Sequence, residues 1–136
     1  GICKVWVEVE QLPIGTDNEL EAQAVVLAAT ADRQYDNRAH EARNLFDAWT
    51  SYKKARLYFE AMDSRADEYD IVRAKLRDSQ RDLDEQCAKT LLRGQGLEQA
   101  GKTSEAIQAY KEGQRFFPDK QHECFQQLKD RLNNLE

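Results

Sequence analysis

Glycine and proline are scarce in this chain, with 6 Gly and 2 Pro among 136 residues, and none of either falls between Gly15 and Gly94. That scarcity excludes a turn-rich β-fold over the stretch and predicts helix. No run approaches the ~18 apolar residues of a membrane span, so no membrane insertion is expected. Cations do not predominate: 20 Lys+Arg stand against 25 Asp+Glu, a net charge of −5. Such a balance argues against a nucleic-acid surface. There are two histidines. His40-Glu41-Ala42-Arg43-Asn44 and His122-Glu123-Cys124-Phe125-Gln126 both begin like the zinc-protease H-E-x-x-H, and both lack the second His. No metal site is expected, because the ligand count falls short.

Cysteine is also sparse. Cys3, Cys87 and Cys124 form no C-x-x-C and no zinc spacing. An odd count favours free thiols in a reducing compartment, hence a cytoplasmic location. The alternative is periplasmic, if Cys87 and Cys124 lie on adjacent packed helices and bridge. Helix axes ~8–10 Å apart leave little latitude for the short Cα separation that a bridge requires. His122 lies two residues from Cys124 and on a helix would not face it, so that thiol lacks a base. No catalytic residue and no cofactor is expected, and the many carboxylates read as solvated helix faces.

The chain does contain strong periodicities. Lys4-Val5-Trp6-Val7-Glu8-Val9-Glu10 alternates as a strand, and Leu12-Pro13-Ile14-Gly15 breaks it. A lone strand cannot pair its own backbone. Residues 1–15 are therefore expected to be a strand and linker serving an upstream domain or a second copy. Residues 16–136 form the helical domain. Thr16-Asp17-Asn18-Glu19 is a capping box that opens a helix with the stripe Leu20, Ala24, Leu27, Ala28, Ala31 and Tyr35. The break falls at Asp36-Asn37. A second helix carries Ala42, Leu45, Trp49, Tyr52, Ala55, Phe59 and Met62, a stripe that reads as core. Asp63-Ser64 punctuates again, with Ser64 as N-cap. The third stripe runs through Tyr69, Val72, Leu76, Ser79, Leu83, Cys87, Thr90, Gly94 and Leu97 without a clear stop. One long helix of roughly 36 residues is favoured over a break near Asp82-Asp84. A fourth helix spans Ser104–Phe116. A fifth spans Lys120–Leu135, with Asp119 as N-cap and the stripe Phe125, Leu128, Leu132 and Leu135.

Gly96-Leu97-Glu98-Gln99-Ala100-Gly101-Lys102-Thr103 matches the phosphate-binding pattern G-x-x-x-x-G-K-T. That loop works when a buried strand delivers it to a helix N-terminus. The residues before Gly96 read as charged helix, Glu98 would set a carboxylate against a polyphosphate, and no strand-like run follows Thr103. A nucleotide-binding protein using Lys102 and Thr103 is therefore a minor alternative.

The same residues fit another pattern. Cys87–Lys120 resembles one tetratricopeptide repeat, a helix pair of about 34 residues. Small residues stand at Gly94 and Gly113, a large apolar residue at Leu97, Ala at Ala106, an aromatic at Tyr110 and Pro at Pro118. Gly101-Lys102-Thr103-Ser104 becomes the inter-helix turn, with Gly101 ending one helix and Thr103 or Ser104 capping the next. The departures are Thr90 and Arg93, where the family places bulky apolar residues. A shift back by one repeat puts Val72, Leu76 and Ser79 at the positions of Ala106, Tyr110 and Gly113, with Asp84 in place of the proline.

The resemblance implies an all-α domain of antiparallel TPR-like helical hairpins, about five helices with a long third, beside one short N-terminal β-strand. It implies a non-enzymatic protein-interaction or assembly scaffold, with a protein or peptide partner lying on the first helix of the repeat. The matching positions are Ala88, Leu91, Gln95 and Glu98, with His122 and Phe125 from the next helix. In that next helix Gln127 and Arg131 depart from the family pattern. The whole layout is similar to C-terminal helical regions of multidomain bacterial signalling or secretion-assembly proteins, some with an upstream forkhead-associated domain. Homo-oligomerisation through the long third helix is the other alternative.

Overall fold

The computed structural model describes residues 13–136, so the strand expected over Val5–Val9 lies outside the described residues. The described part is all-helical. Five helices follow in order: α1 (Asp17–Asp36), α2 (Asn44–Glu60), α3 (Glu68–Gln99), α4 (Thr103–Gln114) and α5 (Glu123–Leu135). Consecutive helices pack on one another, and α1 also touches α3. No described helix is long and apolar enough to cross a membrane.

The expected capping box opens α1. Thr16 Oγ1 accepts from the Glu19 amide at 3.3 Å and donates to Glu19 Oε1 at 3.0 Å. This satisfies one of the amides that a helix N-terminus leaves unpaired. The second helix starts at Asn44, leaving Ala42 in the preceding turn. Ser64 does not cap α3. Its amide and hydroxyl, with the Asp63 amide, donate to the Asp17 carboxylate at 3.1, 2.8 and 2.8 Å. These bonds hold the Asp17 carboxyl below its ordinary pKa and clip the start of α1 to the α2–α3 connection. Asp119 does not cap α5 either. It accepts from the Gln121 amide two residues on, and His122 caps instead, its Nδ1 accepting from the Cys124 amide at 3.1 Å.

The long α3 is continuous for 32 residues. Its buried residues Val72, Leu76, Ser79, Leu83, Thr90 and Gly94 are the expected stripe. Two core clusters meet along α2. One joins Tyr52, Ala55 and Phe59 of α2 to Ala24 and Ala31 of α1 and to Val72 and Leu76 of α3. The other joins Leu45 and Phe46 of α2 to Leu83 of α3, Tyr110 of α4, Phe117, and Cys124, Leu128 and Leu132 of α5. A helix packed on both sides needs apolar residues off a single stripe, which explains why Phe46 and Ala48 are buried as well.

The contact between α3 and α4 is close at two glycines. A Cβ at Gly94 would lie 2.1 Å from the Tyr110 ring, and one at Gly113 would lie 2.1 Å from Thr90 Cγ2. Each small residue thus receives a side chain from the facing helix. Thr90 departs from the repeat pattern because the volume of a bulkier residue has no room opposite Gly113. The Tyr110 hydroxyl donates to Glu98 one turn beyond Gly94.

Candidate functional site

The phosphate-loop residues come first, because the backbone decides their role. Gly96 lies inside α3, so helix and not a strand leads directly into it. Gly101 adopts φ +75°, the left-handed conformation that glycine tolerates. The Gly101 amide donates to the Glu98 carbonyl at 3.0 Å and the Lys102 amide to the Leu97 carbonyl at 2.9 Å. These are the two bonds of a Schellman helix end. Both amides are occupied by their own helix rather than turned toward an anion. No side-chain bond from Thr103 or Ser104 caps α4, which begins at Thr103.

Two cavities that share Asp84 lie along α3, and we call the pair the trough. Its first half is a cavity of about 520 Å³ between α2 and α3, lined by Trp49, Lys53, Arg56, Arg77, Arg81 and Asp84, among others. Its second half, of about 300 Å³, lies between α3 and α5 and includes Asp84, Ala88, Leu91, His122 and Gln127. Asp84 lines both. From Arg77 to Leu91 the helix rises about 21 Å at 1.5 Å per residue, enough for about six residues of extended chain.

The wall of the second half is covalent. Cys87 of α3 and Cys124 of α5 form a disulfide with a Cα separation of 6.0 Å. Both cysteines are on packed helices, the condition that the sequence left open. Beside the bridge, His122 stacks on Phe117 with ring centroids 4.9 Å apart and meets Phe46 and Trp49 edge-on at 5.6 and 5.8 Å. Burial in this aromatic nest pushes the His122 pKa below its ordinary 6.5, opposed by the nearby Asp119, Asp84 and Glu123. The neutral ring is also the form that caps α5, since its Nδ1 must hold a free lone pair.

Three of the six positions expected to bind a partner come together here: Ala88, Leu91 and His122. Ala88 is exposed and the other two are half-buried. Gln95 is half-buried further along α3, outside both cavities. Glu98 is turned inward to the Tyr110 hydroxyl, whose pKa is pushed up to about 12 by burial and by that carboxylate. Phe125 lines a separate cavity with Arg43, Arg115 and Pro118.

The basic half was not singled out by the sequence. Lys53 and Arg56 stand three apart on α2, and Arg77 and Arg81 four apart on α3. Either pair marks one helix face, but only tertiary packing brings the two faces together. Trp49 packs against both core clusters, as its place in the α2 stripe predicts, while its half-buried ring carries Lys53 Nζ at 4.0 Å.

Elsewhere, Asp32 accepts from the Tyr52 hydroxyl at 2.5 Å and from Lys75 Nζ at 2.9 Å, which joins α1, α2 and α3. His40 lines a cavity of about 630 Å³ with Arg38, Glu85, Lys89 and Glu112. Among the described residues no three His, Cys, Asp or Glu side chains gather as a metal site. No family model, curated protein or solved structure matches the chain.

Proposed function

We propose that the chain is a non-enzymatic protein-binding or assembly module of a larger, bacterial protein, built from antiparallel TPR-like helix pairs. Its partner, a protein or peptide, lies in the trough along α3. The observation that carries this reading is the trough itself, with Ala88 and Leu91 lining one half and Trp49 the other. Exposed apolar surface between polar walls is what peptide-binding grooves offer. The close approach at Gly94 and Gly113 supports the repeat reading, because those are the repeat's small positions. The Schellman bonds at Gly101 and Lys102 favour the inter-helix turn over the nucleotide loop. Affinity for MgATP that disappears in Lys102→Ala would reverse that preference.

A photo-crosslinking amino acid at position 88 tests the docking reading. In an extract of the organism that encodes the chain, it is expected to yield a discrete protein adduct. The same group at Val26, exposed on α1, gives none, and Leu91→Glu removes the adduct. Equal adducts at both positions, or an adduct insensitive to Leu91→Glu, would sink the reading.

Homo-oligomerisation through α3 draws less support. Ile71 and Leu92 are exposed on α3 at equivalent heptad positions, but Asp78 and Glu85 stand at the two heptad positions between them. A zipper seam needs continuous apolar residues there. The Cys87–Cys124 bridge favours an oxidising compartment, periplasmic in a bacterium, over the cytoplasm. Thiol alkylation of the chain taken directly from cells checks this, since a cytoplasmic chain would label at both positions.

A further inference from the structure

The two halves of the trough differ in charge. The second half includes Asp84 and Glu123 and no Lys or Arg, whereas the first gathers Lys53, Arg56, Arg77 and Arg81 around a single carboxylate, Asp84. This concentration occurs in a chain whose acidic residues outnumber its basic ones by 25 to 20. The cations there are poorly compensated. Among the described residues neither Lys53 nor Arg77 has a carboxylate partner within ion-pair distance. Arg81 has two, Asp78 at 3.5 Å and Asp82 at 3.9 Å, and exposed pairs of that length contribute little. Arg56 Nε is buried without a directed hydrogen bond, although Glu60 Oε1 lies 3.2 Å away. Burial and the neighbouring Arg56 depress the Lys53 pKa, opposed more weakly by Asp119. Arriving carboxylates would supply Lys53 and Arg77 with the partners they lack among the described residues.

We propose that this half of the trough takes an acidic segment of a partner protein, with an aromatic or apolar side chain between its carboxylates to lie against Trp49. The proposal rests on the docking reading above and narrows it to one partner chemistry. Guanidinium forks and an ammonium held over an indole suit carboxylates. The apolar lining distinguishes a peptide from a simple anion. Arg77 and Arg81 lie one turn apart, about 6 Å along the axis, close to the spacing of alternate residues in an extended strand.

The test uses the full chain and a fluorescein-labelled peptide of three Asp-Leu-Glu-Phe repeats, followed by fluorescence anisotropy at low salt. The comparison probes are a peptide of three Lys-Leu-Arg-Phe repeats and a single-stranded oligo(dT) of equal length. The acidic peptide is expected to bind at least roughly tenfold more tightly than either, and to weaken as salt is raised. The triple variant Lys53→Glu, Arg77→Glu, Arg81→Glu is expected to lose roughly tenfold or more, three surface charge pairs contributing together. Its circular-dichroism melt should stay close to that of the parent chain, since Arg77 and Arg81 are exposed and Lys53 is half-buried at the cavity wall. Three results would each overturn the proposal: equal binding of the basic peptide or of oligo(dT), acidic-peptide affinity unchanged in the triple variant, or concentration-dependent self-association that the same variant abolishes. If the position-88 adduct forms while the acidic peptide fails to bind, the docking reading survives and the acidic-partner proposal falls. If the peptide binds through the three cations while the adduct is absent, the reverse holds.

Discussion

Two glycines in α3, only two residues apart, should respond to alanine in opposite directions. A Cβ at Gly94 would lie 2.1 Å from the Tyr110 ring, whereas one at Gly96 would meet nothing within 4 Å. Alanine in a helix interior is favoured over glycine by about 0.5–1 kcal/mol. At Gly96 that gain is unopposed, so Gly96→Ala should stabilise by about that amount. At Gly94 it meets a clash. Ordinary contact needs about 3.5 Å or more, so the ring or the helix must move by over an ångström. Tyr110 has no room to do so, being fully buried with its hydroxyl committed to Glu98. Overpacking of this kind costs about 1–3 kcal/mol and occasionally more. Taking the upper part of that range and subtracting the propensity gain leaves a net loss of about 2 kcal/mol. For a domain of this size the loss lowers Tm by roughly 6–10 °C. Urea unfolding followed by far-ultraviolet circular dichroism reads both variants, with an unchanged slope showing that the unfolded state is the same. A Gly94→Ala protein as stable as its parent would refute the close α3–α4 approach, and with it the structural support for the repeat reading.

Reduction of the Cys87–Cys124 bridge, or Cys124→Ser, frees a closure of sequence separation 37. Loop entropy puts the loss near 4 kcal/mol, so a melt that moves by only a degree or two with reductant would contradict the bridge. His122 is held below its ordinary 6.5 by burial. Its contribution is therefore complete above that pH and is lost as pH falls through the depressed value. Tm should drop on acidification, and His122→Asn, which keeps a cap without the titration, should drop less. Tyr35, Tyr52 and Tyr110 are all pushed above the ordinary 10.0, the first chiefly by its bond to Asp82 and the other two chiefly by burial. Phenolate absorbance should therefore show part of the tyrosine signal appearing above that pH. The stability these groups contribute is present below it and fades as pH rises through the shifted values. Tyr52→Phe should cost about 1–2 kcal/mol by urea unfolding, because a buried phenol that bonds Asp32 is lost.

Periodicity made much of this fold legible. The stripe from Val72 to Gly94 reads directly as one buried face, and its continuity through Asp82-Asp84 follows because charges on the opposite face do not interrupt it. The first cap was equally readable, since Thr16 and Glu19 bond only to each other and to their own turn. The N-caps of α3 and α5 were not, for a common reason. Ser64 is claimed by Asp17, which lies 47 residues away in sequence. His122 caps α5 from within an aromatic nest whose members come from α2 and the α4–α5 connection. Local propensity does not see such competition. The site divides in the same way. Ala88 and Leu91 came from the repeat resemblance, which also named Gln95 and Glu98. The basic wall depends on which face of α2 meets which face of α3, and Glu98 turned inward because Tyr110 reached it first.

The bridge between α3 and α5 has a consequence beyond stability. The covalent ring from Cys87 to Cys124 encloses the whole of α4 and the connections on either side of it. Those connections are the exposed segments that a protease would cut. A single cut there would yield two fragments that cannot diffuse apart, held at the millimolar effective concentration of a short tether. They would run as one species without reductant and as two with it. The nicked molecule could keep its trough, and cleavage would become visible only after the sulfur bond is broken.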